Sequence, residues 1–110
     1  MSLLCGKNKR MILYNVTVAV DKKIEQEWLI WMKNVHIPEV METNMFVTHK
    51  FFKVLNSEDP QSSSYSVQYF AESMDKIKLY MSAFAPELQQ KVALKFPNQL
   101  AAFRTLLESV

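Results

Sequence analysis

Glycine is nearly absent from this chain of 110 residues, in which Gly6 is the single example. Phosphate-binding loops need several glycines close together, because their backbone approaches the phosphate and adopts conformations that a β-carbon obstructs. A nucleotide site of the glycine-rich type is therefore excluded.

Cysteine and histidine are also scarce. Cys5 is the only cysteine, so the chain cannot form an internal disulfide, which favours a reducing, cytoplasmic compartment. The two histidines, His36 and His49, do not stand at the spacings of zinc ligands, either with each other or with Cys5. We expect no metal and no cofactor.

Long apolar runs and a basic surface are lacking as well. No apolar run approaches the roughly 20 residues that span a bilayer, so we expect no membrane insertion. The net charge of +2 arises from Lys7, Lys9 and Arg10, because residues 11–110 hold 10 Lys and Arg against 11 Asp and Glu. A nearly neutral domain has no basic stripe to neutralise phosphates, which argues against nucleic acid as a partner.

The chain has the length and the apolar content of one small globular domain, since 49% of its residues are hydrophobic. Residues 1–10 (MSLLCGKNKR) show no periodicity and resemble no secretory signal. We expect them to form a disordered N-terminal extension, with residues 11–110 as a single domain.

Alternation of apolar and polar residues predicts β-strands at 11–20, 65–70 and 100–107. A further strand is predicted at 45–55, where two lysines inside the segment are typical of a sheet edge. The composition of residues 56–64 (NSEDPQSSS) indicates a turn.

Helical spacing of apolar residues predicts two helical regions, with Asp21 and Ser73 as their N-caps. Pro38 is expected to end the first helix and to begin a second, short one. In the same way, Pro86 is expected to separate a helix at 74–84 from another that ends before Pro97.

The resulting order is β-α-β-β-α-β, which predicts an α+β fold of the ferredoxin-like type. Right-handed crossovers place both helical regions on one face of a four-stranded antiparallel sheet, with the strand order 4-1-3-2.

Alternation also assigns side chains to the two faces of this sheet. The helix side is expected to carry the bulkier sets Tyr14, Val16, Val18, Tyr65, Val67, Tyr69, Phe103 and Leu107. The opposite face is expected to carry the polar residues Asn15, Thr17, Ser66, Gln68 and Arg104, together with Leu13, Phe70 and Leu106. Such a face is too apolar for water and too polar for a core, so a homodimer packed face to face is favoured over an open, hydrated sheet.

Five short segments resemble a bacterial family of uncharacterised stand-alone proteins of about this size. They are YNVTV at 14–18, EWLIWMK at 27–33, HIP at 36–38, YSVQY at 65–69 and FRT at 103–105. That family is similar to the dimeric α+β-barrel superfamily, which includes antibiotic-biosynthesis-type monooxygenases. The resemblance implies a ferredoxin-like monomer, a face-to-face dimer and a cavity between sheet and helices, but no particular reaction. Asn44 departs from the family pattern, which usually has glycine there, although asparagine tolerates a positive φ.

His36 is the catalytic candidate. It is predicted at the end of the first helix, and His-x-Pro at this place is similar to a motif in several enzymes of the superfamily, where a histidine handles a proton. The alternative is a histidine that caps the helix C-terminus.

The remaining candidates would bind a ligand. Arg104 could hold an anion, or could instead pair with Glu108. The side chains of Asn15, Thr17, Ser66 and Gln68 could orient a carbonyl or hydroxyl group, or could bond to one another at the dimer interface. Some haem-degrading members of the superfamily combine Asn, Trp and His, but this comparison is not carried over to Asn15, Trp31 and His36, because Trp31 and His36 share the first helical region. Trp31 is kept as a ligand-binding candidate, although its place on the apolar stripe favours a core position.

Three functions remain open at this point. The first is a homodimer that binds an unidentified small molecule. The second is a cofactor-independent oxygenase or isomerase that uses His36 as a base, with the amides stabilising negative charge. The third is a structural or interaction module with a filled interface and no ligand.

Overall fold

The computed structural model describes residues 10–110 of the chain. The expectation of a disordered extension at 1–10 therefore concerns, apart from Arg10, residues outside the described part. The guanidinium of Arg10 lies 3.4 Å from the carboxylate of Glu108, close to the C-terminus.

Four antiparallel strands form a single sheet: β1 (Ile12–Asp21), β2 (Thr48–Lys53), β3 (Ser62–Ala71) and β4 (Leu100–Glu108). Their order is β2-β3-β1-β4, so the predicted order and the predicted ferredoxin-like α+β fold are confirmed. Strand β3 begins earlier than predicted, because the serines at 62–64 pair with the end of β1.

The first helical region consists of a 3-10 turn (Lys22–Ile24), α1 (Glu25–Trp31), a π-helical turn (Met32–His36) and α2 (Ile37–Met41). The second consists of α3 (Met74–Leu79), a π-helical turn (Tyr80–Phe84) and α4 (Ala85–Lys95). None of the helices among residues 10–110 combines the length and the apolar character needed to cross a membrane.

Both predicted N-caps are present at the starts of these regions. The Asp21 carboxylate accepts a hydrogen bond from the backbone N–H of Lys23 at 2.8 Å. The Ser73 hydroxyl accepts one from the backbone N–H of Lys76 at 3.3 Å. Each satisfies a donor that the first turn of a helix leaves free.

The prediction that each proline begins a further helix is confirmed, because Pro38 and Pro86 lie in the first turns of α2 and α4. The prediction that the preceding helix ends there is wrong, since no non-helical residue separates the two. In each region a π-helical turn ends two residues before the proline, and the N–H of the intervening residue donates to a carbonyl five positions back: Ile37 to Met32, and Ala85 to Tyr80. The wider π turn accommodates a residue that has no N–H to donate, and the helical course continues.

The core lies between one face of the sheet and the helical regions. Its buried members from the strands include Tyr14, Val18, Tyr65, Val67 and Tyr69. Its buried members from the helices include Trp28, Met32, Ile37, Val40, Ile77, Tyr80 and Leu88. The face assignment for β1 and β3 is therefore confirmed, because these side chains point toward the helices.

The face assignment for β4 is wrong by one residue. Val16 pairs with Arg104 and Tyr14 pairs with Leu106, so Arg104 and Leu106 lie on the helix side. Phe103 and Leu107 consequently lie on the opposite face. Strand β4 is an edge strand that is largely exposed and carries apolar residues on both faces. The alternation of polar and apolar residues therefore does not show which of its side chains face the helices.

Asn44 and Asn98 have positive φ values of 63° and 61°. The expectation that asparagine takes over a position suited to glycine at 44 is thus met by the backbone.

Candidate ligand cavity

A cavity of about 400 Å³ lies between the helix-facing side of the sheet and the helical regions. Its walls are largely apolar and include Val16, Val18 and Val67 from the strands and Trp28, Met32 and Leu88 from the helices. A cavity of this size and lining suits a small organic molecule. Its exposed rim is formed in part by Gln89 and Asn98, between α4 and β4.

Besides Gln89 and Asn98 at the rim, five polar side chains line the same cavity: Tyr14, His36, Tyr69, Tyr80 and Arg104. The three tyrosines form an aromatic cluster, in which the ring of Tyr14 lies 6.4 Å from that of Tyr69 and 5.6 Å from that of Tyr80. The cavity thus combines an extensive apolar surface with a small set of hydrogen-bonding groups.

Arg104 links the edge strand to this cluster, because its Nε donates a hydrogen bond to the Tyr14 hydroxyl at 3.2 Å. Among residues 10–110 no carboxylate forms an ion pair with Arg104, and the predicted alternative partner, Glu108, instead pairs with Arg10. The guanidinium therefore keeps a positive charge at the cavity without a counter-ion from the described residues.

Tyr69 is buried, and its hydroxyl has no hydrogen-bond partner within the described part of the chain. Burial raises the pKa of the Tyr69 hydroxyl well above its ordinary value, and Tyr80 and Tyr14 raise it further. Burial likewise raises the pKa of Tyr80. Both groups remain neutral at physiological pH, and a buried donor without a partner is costly unless something else satisfies it.

His36 lines the cavity from the last position of the first π-helical turn. Burial lowers the pKa of its imidazole from 6.5 to about 4; Glu39 acts to raise it, and Arg104 lowers it further. The imidazole is therefore neutral at pH 7, and its Nδ1 is buried without a partner among the described residues. The alternative in which His36 caps a helix C-terminus is wrong, because the helix continues to Met41.

Trp31 lies beside His36 but does not line this cavity. Its ring stacks on the imidazole at 5.3 Å and meets Phe96 edge-on at 5.6 Å. Trp28, in contrast, is 1% exposed and forms part of the cavity wall. Trp31 therefore packs against the imidazole of His36 without lining the cavity itself.

The predicted polar residues of β1 and β3 lie on the other face of the sheet, away from His36 and Arg104. They bond to one another in a ladder: Gln68 Nε2 donates to Ser66 Oγ at 3.1 Å, Ser66 Oγ to Asn15 Oδ1 at 2.6 Å, and Asn15 Nδ2 to Thr17 Oγ1 at 2.9 Å. Half-buried and exposed apolar side chains flank this ladder, namely Leu13, Phe52, Phe70, Phe103 and Leu107.

The structure thus divides the predicted site into two. His36 and Arg104 both line the cavity. Asn15, Thr17, Ser66 and Gln68 lie with the flanking apolar side chains on the other side of the sheet, which we call the open face. Tyr14 and Tyr69 were predicted only as bulky residues on the helix side of the sheet, and Tyr80 only as part of the helix at 74–84. The signal that could have revealed them is their hydroxyl groups, because a core with three phenols on one side must supply partners for them.

Across residues 10–110 there is no group of three or more His, Cys, Asp or Glu side chains placed to hold a metal ion. The chemistry available at the cavity is that of one guanidinium, one neutral imidazole and three neutral phenols, together with the two amides at the rim. Such a set can bind an anion, donate hydrogen bonds and accept a proton.

Solved structures with a similar fold cover most of the chain at low sequence identity. An EthD family protein from Bacillus halodurans is 12% identical, with a TM-score of 0.63 over 86% of this chain and 96% of that one. SnoaB, a cofactor-independent oxygenase from Streptomyces nogalater, is 13% identical, with a TM-score of 0.60 over 88% and 90%. A dimeric ferredoxin-like protein from an uncultured marine organism is 13% identical, with a TM-score of 0.57 over 92% and 96%.

These similarities establish the ferredoxin-like fold of the chain. No curated protein sequence matches it. A family profile, in contrast, matches residues 11–110, which is nearly the whole chain. The protein is therefore a member of the family described as Domain of unknown function (DUF4286).

Proposed function

We propose that this protein binds a small, largely apolar molecule that carries one anionic oxygen group, in the cavity between its sheet and its helical regions. The observation that carries the proposal is the position of Arg104, whose charge meets the cavity beside the Tyr14 hydroxyl without a protein carboxylate to neutralise it. The guanidinium would hold the anionic group, and the apolar walls would hold the remainder of the molecule.

A matched pair of probes tests this proposal. Isothermal titration calorimetry with 1-hydroxy-2-naphthoic acid and with its methyl ester compares an anion with a neutral molecule of the same shape. We expect the acid to bind more tightly than the ester, and the variant Arg104→Gln to lose at least tenfold in affinity for the acid. Arg10→Gln is the control, because this exposed arginine pairs with Glu108 away from the cavity. Equal affinities for both probes, or an unchanged Arg104→Gln, would contradict the proposal.

We further propose that the protein is a homodimer in which two open faces pack together. The support is the composition of that face, where the ladder of Asn15 and Ser66 is surrounded by apolar side chains such as Phe103, which is 62% exposed in the single chain. The ferredoxin-like relative described as dimeric is consistent with this arrangement. The polar side chains of the ladder would then belong to the interface, or to ligand contacts within it.

A second candidate function is that of a cofactor-independent oxygenase or isomerase that acts on a carbon acid. It is favoured by His36, whose neutral imidazole can accept a proton at pH 7 and which lies on the same cavity as Arg104. The enolate formed by proton removal would be stabilised by the guanidinium and by the tyrosine hydroxyls, and not by the amides first considered for that role. SnoaB, a protein of the same fold, is described as a cofactor-independent oxygenase.

The third possibility, a structural or interaction module with a filled interface and no ligand, is disfavoured by the cavity and by the unsatisfied Tyr69 hydroxyl, which leave room and a free donor for a ligand. As for the setting, the single cysteine supports a reducing compartment, and we propose a bacterial, cytoplasmic protein without nucleic-acid or membrane partners.

A further inference from the structure

Two buried polar atoms without partners in the described chain lie three residues apart on the first helical region: His36 Nδ1 and Glu39 Oε1. Residues at this spacing are neighbours on one face of a helix. A buried donor or acceptor that stays unpaired costs about 1–3 kcal/mol in folding free energy, so two unpaired atoms on one face of a helix would together destabilise the protein considerably. One imidazole nitrogen and one carboxylate oxygen are, however, complementary to each other.

Glu39 is held by the second helical region. Its Oε2 accepts a hydrogen bond from Lys91 Nζ at 3.1 Å, which fixes one carboxylate oxygen to α4 and leaves Oε1 available. The side chain is only 31% exposed, so the ion pair is partly shielded from solvent. Lys91 thus anchors Glu39 and does not compete for Oε1.

The surroundings of His36 are asymmetric. The charged groups that influence it are Glu39 on its own helical region and Arg104 on β4, and its ring stacks on Trp31. Arg104 opposes a second positive charge at the cavity, whereas Glu39 favours one. A carboxylate next to Nδ1 is the arrangement that determines which nitrogen of a neutral imidazole carries its proton.

We propose that Glu39 is a positioning residue for His36: its Oε1 accepts a hydrogen bond from the Nδ1–H of the neutral imidazole, directly after a small rotation or through one bridging water, so that Nε2 is the unprotonated nitrogen offered to the cavity. This inference rests on the second candidate function. When a substrate C–H proton moves to Nε2, the electron pair of that bond stays on the substrate as an enolate, and the imidazolium formed is stabilised by Glu39.

Nuclear magnetic resonance of the imidazole nitrogens tests the proposal without any ligand. His49→Gln removes the only other histidine, which is exposed on β2, and leaves His36 as the sole imidazole signal. At pH 7 we expect the Nδ1–H tautomer, although free imidazole side chains favour Nε2–H. Glu39→Ala should shift the population toward Nε2–H, and Glu39→Gln should retain Nδ1–H, because its amide oxygen can still accept the bond.

Glu27→Ala is the matched control, since this glutamate lies on the same helical region and its carboxylate pairs with Lys95 at 3.4 Å. It should leave the tautomer unchanged. An Nε2–H tautomer in the parent protein would overturn the proposal even if Glu39→Ala did not fold, and so would an unaltered tautomer in a folded Glu39→Ala. A result of either kind is independent of whether the naphthoic acid binds, so the two proposals can fail separately.

Discussion

Arg104 and Tyr14 connect two strands of unequal burial: the guanidinium on the exposed edge strand donates to the hydroxyl of a tyrosine that is 3% exposed on a central strand. The hydrogen bond satisfies a phenol inside the core and, at the same time, places a positive charge at the cavity. Stability and the proposed ligand recognition would therefore depend on the same contact.

Replacement of Arg104 by Gln should separate these two contributions. We expect a loss of about 1 kcal/mol in the free energy of unfolding, because one hydrogen bond to a buried hydroxyl is removed. Urea denaturation measures this loss, and calorimetry with 1-hydroxy-2-naphthoic acid measures the larger loss in affinity. A stability change similar to that of Arg10→Gln would show that the contact with Tyr14 contributes little.

The low pKa of His36 predicts a pH-dependent stability. The folded state holds a pKa of about 4, against an ordinary value of 6.5, so between these values the unfolded chain binds more protons. Stability should be complete above pH 6.5 and should fall as the pH is lowered toward 4, by about 3 kcal/mol at most.

Thermal unfolding at a series of pH values, compared between His36→Gln and the parent protein, checks this prediction. The variant should lose the part of the pH dependence that lies between pH 4 and 6.5. His49→Gln is the control and should keep it, because His49 is exposed. A titration of His36 near pH 6.5 in the folded protein would contradict the expectation.

The proposed homodimer predicts different effects of substitution at two exposed apolar residues. Phe103 lies on the open face and is 62% exposed, whereas Leu94 lies on α4 and is 74% exposed. Phe103→Asp should convert the dimer to a monomer in sedimentation experiments, because a carboxylate would be buried in the interface without a partner. Leu94→Asp should leave the mass unchanged. A parent protein that is monomeric at micromolar concentration would rule out the interface.

Two tyrosines on the same strand should respond differently to loss of the hydroxyl. The Tyr65 hydroxyl donates to the Glu25 carboxylate, which also accepts from Ser63, whereas the Tyr69 hydroxyl has no partner in the described chain. We expect Tyr65→Phe to lower the free energy of unfolding by about 1.5–3 kcal/mol, as for a bond to a charged group.

Tyr69→Phe should be neutral or slightly stabilising, because it removes an unsatisfied buried group. Chemical denaturation of both variants gives the comparison. If Tyr69→Phe destabilises the protein as much as Tyr65→Phe does, the Tyr69 hydroxyl has a partner after all and is not available to a ligand.

Much of this architecture is predictable from the sequence, because β1 and β3 are buried on the helix side and hydrated or half-buried on the other. Their alternation is therefore unambiguous, and it yields the sheet order and most of the core. Strand β4 carries Leu106 on one face and Leu107 on the other, and neither is buried. Nothing in the pattern sets its phase, so Arg104 was predicted on the open face and not on the side of the cavity that it lines.

The tyrosine cluster and the role of Glu39 depend on packing between elements that are distant in sequence. Tyr14 and Tyr80 come from a strand and a helix, and Glu39 contacts Lys91 across the two helical regions. Periodicity identifies the face on which each residue lies, but it does not identify which residue from another element meets it there.

The two π-helical turns have a consequence for how the chain can vary. Each adds one residue to a turn, at the positions from which Met32, His36 and Tyr80 contribute to the cavity. Removing one residue from 32–36 would restore ordinary helical winding and leave α1 and α2 in nearly the same relative orientation, because a π turn holds one more residue than an α turn over about the same rotation. A related sequence one residue shorter here would therefore keep the course of this helical region and change only the local cavity wall that Met32 and His36 form.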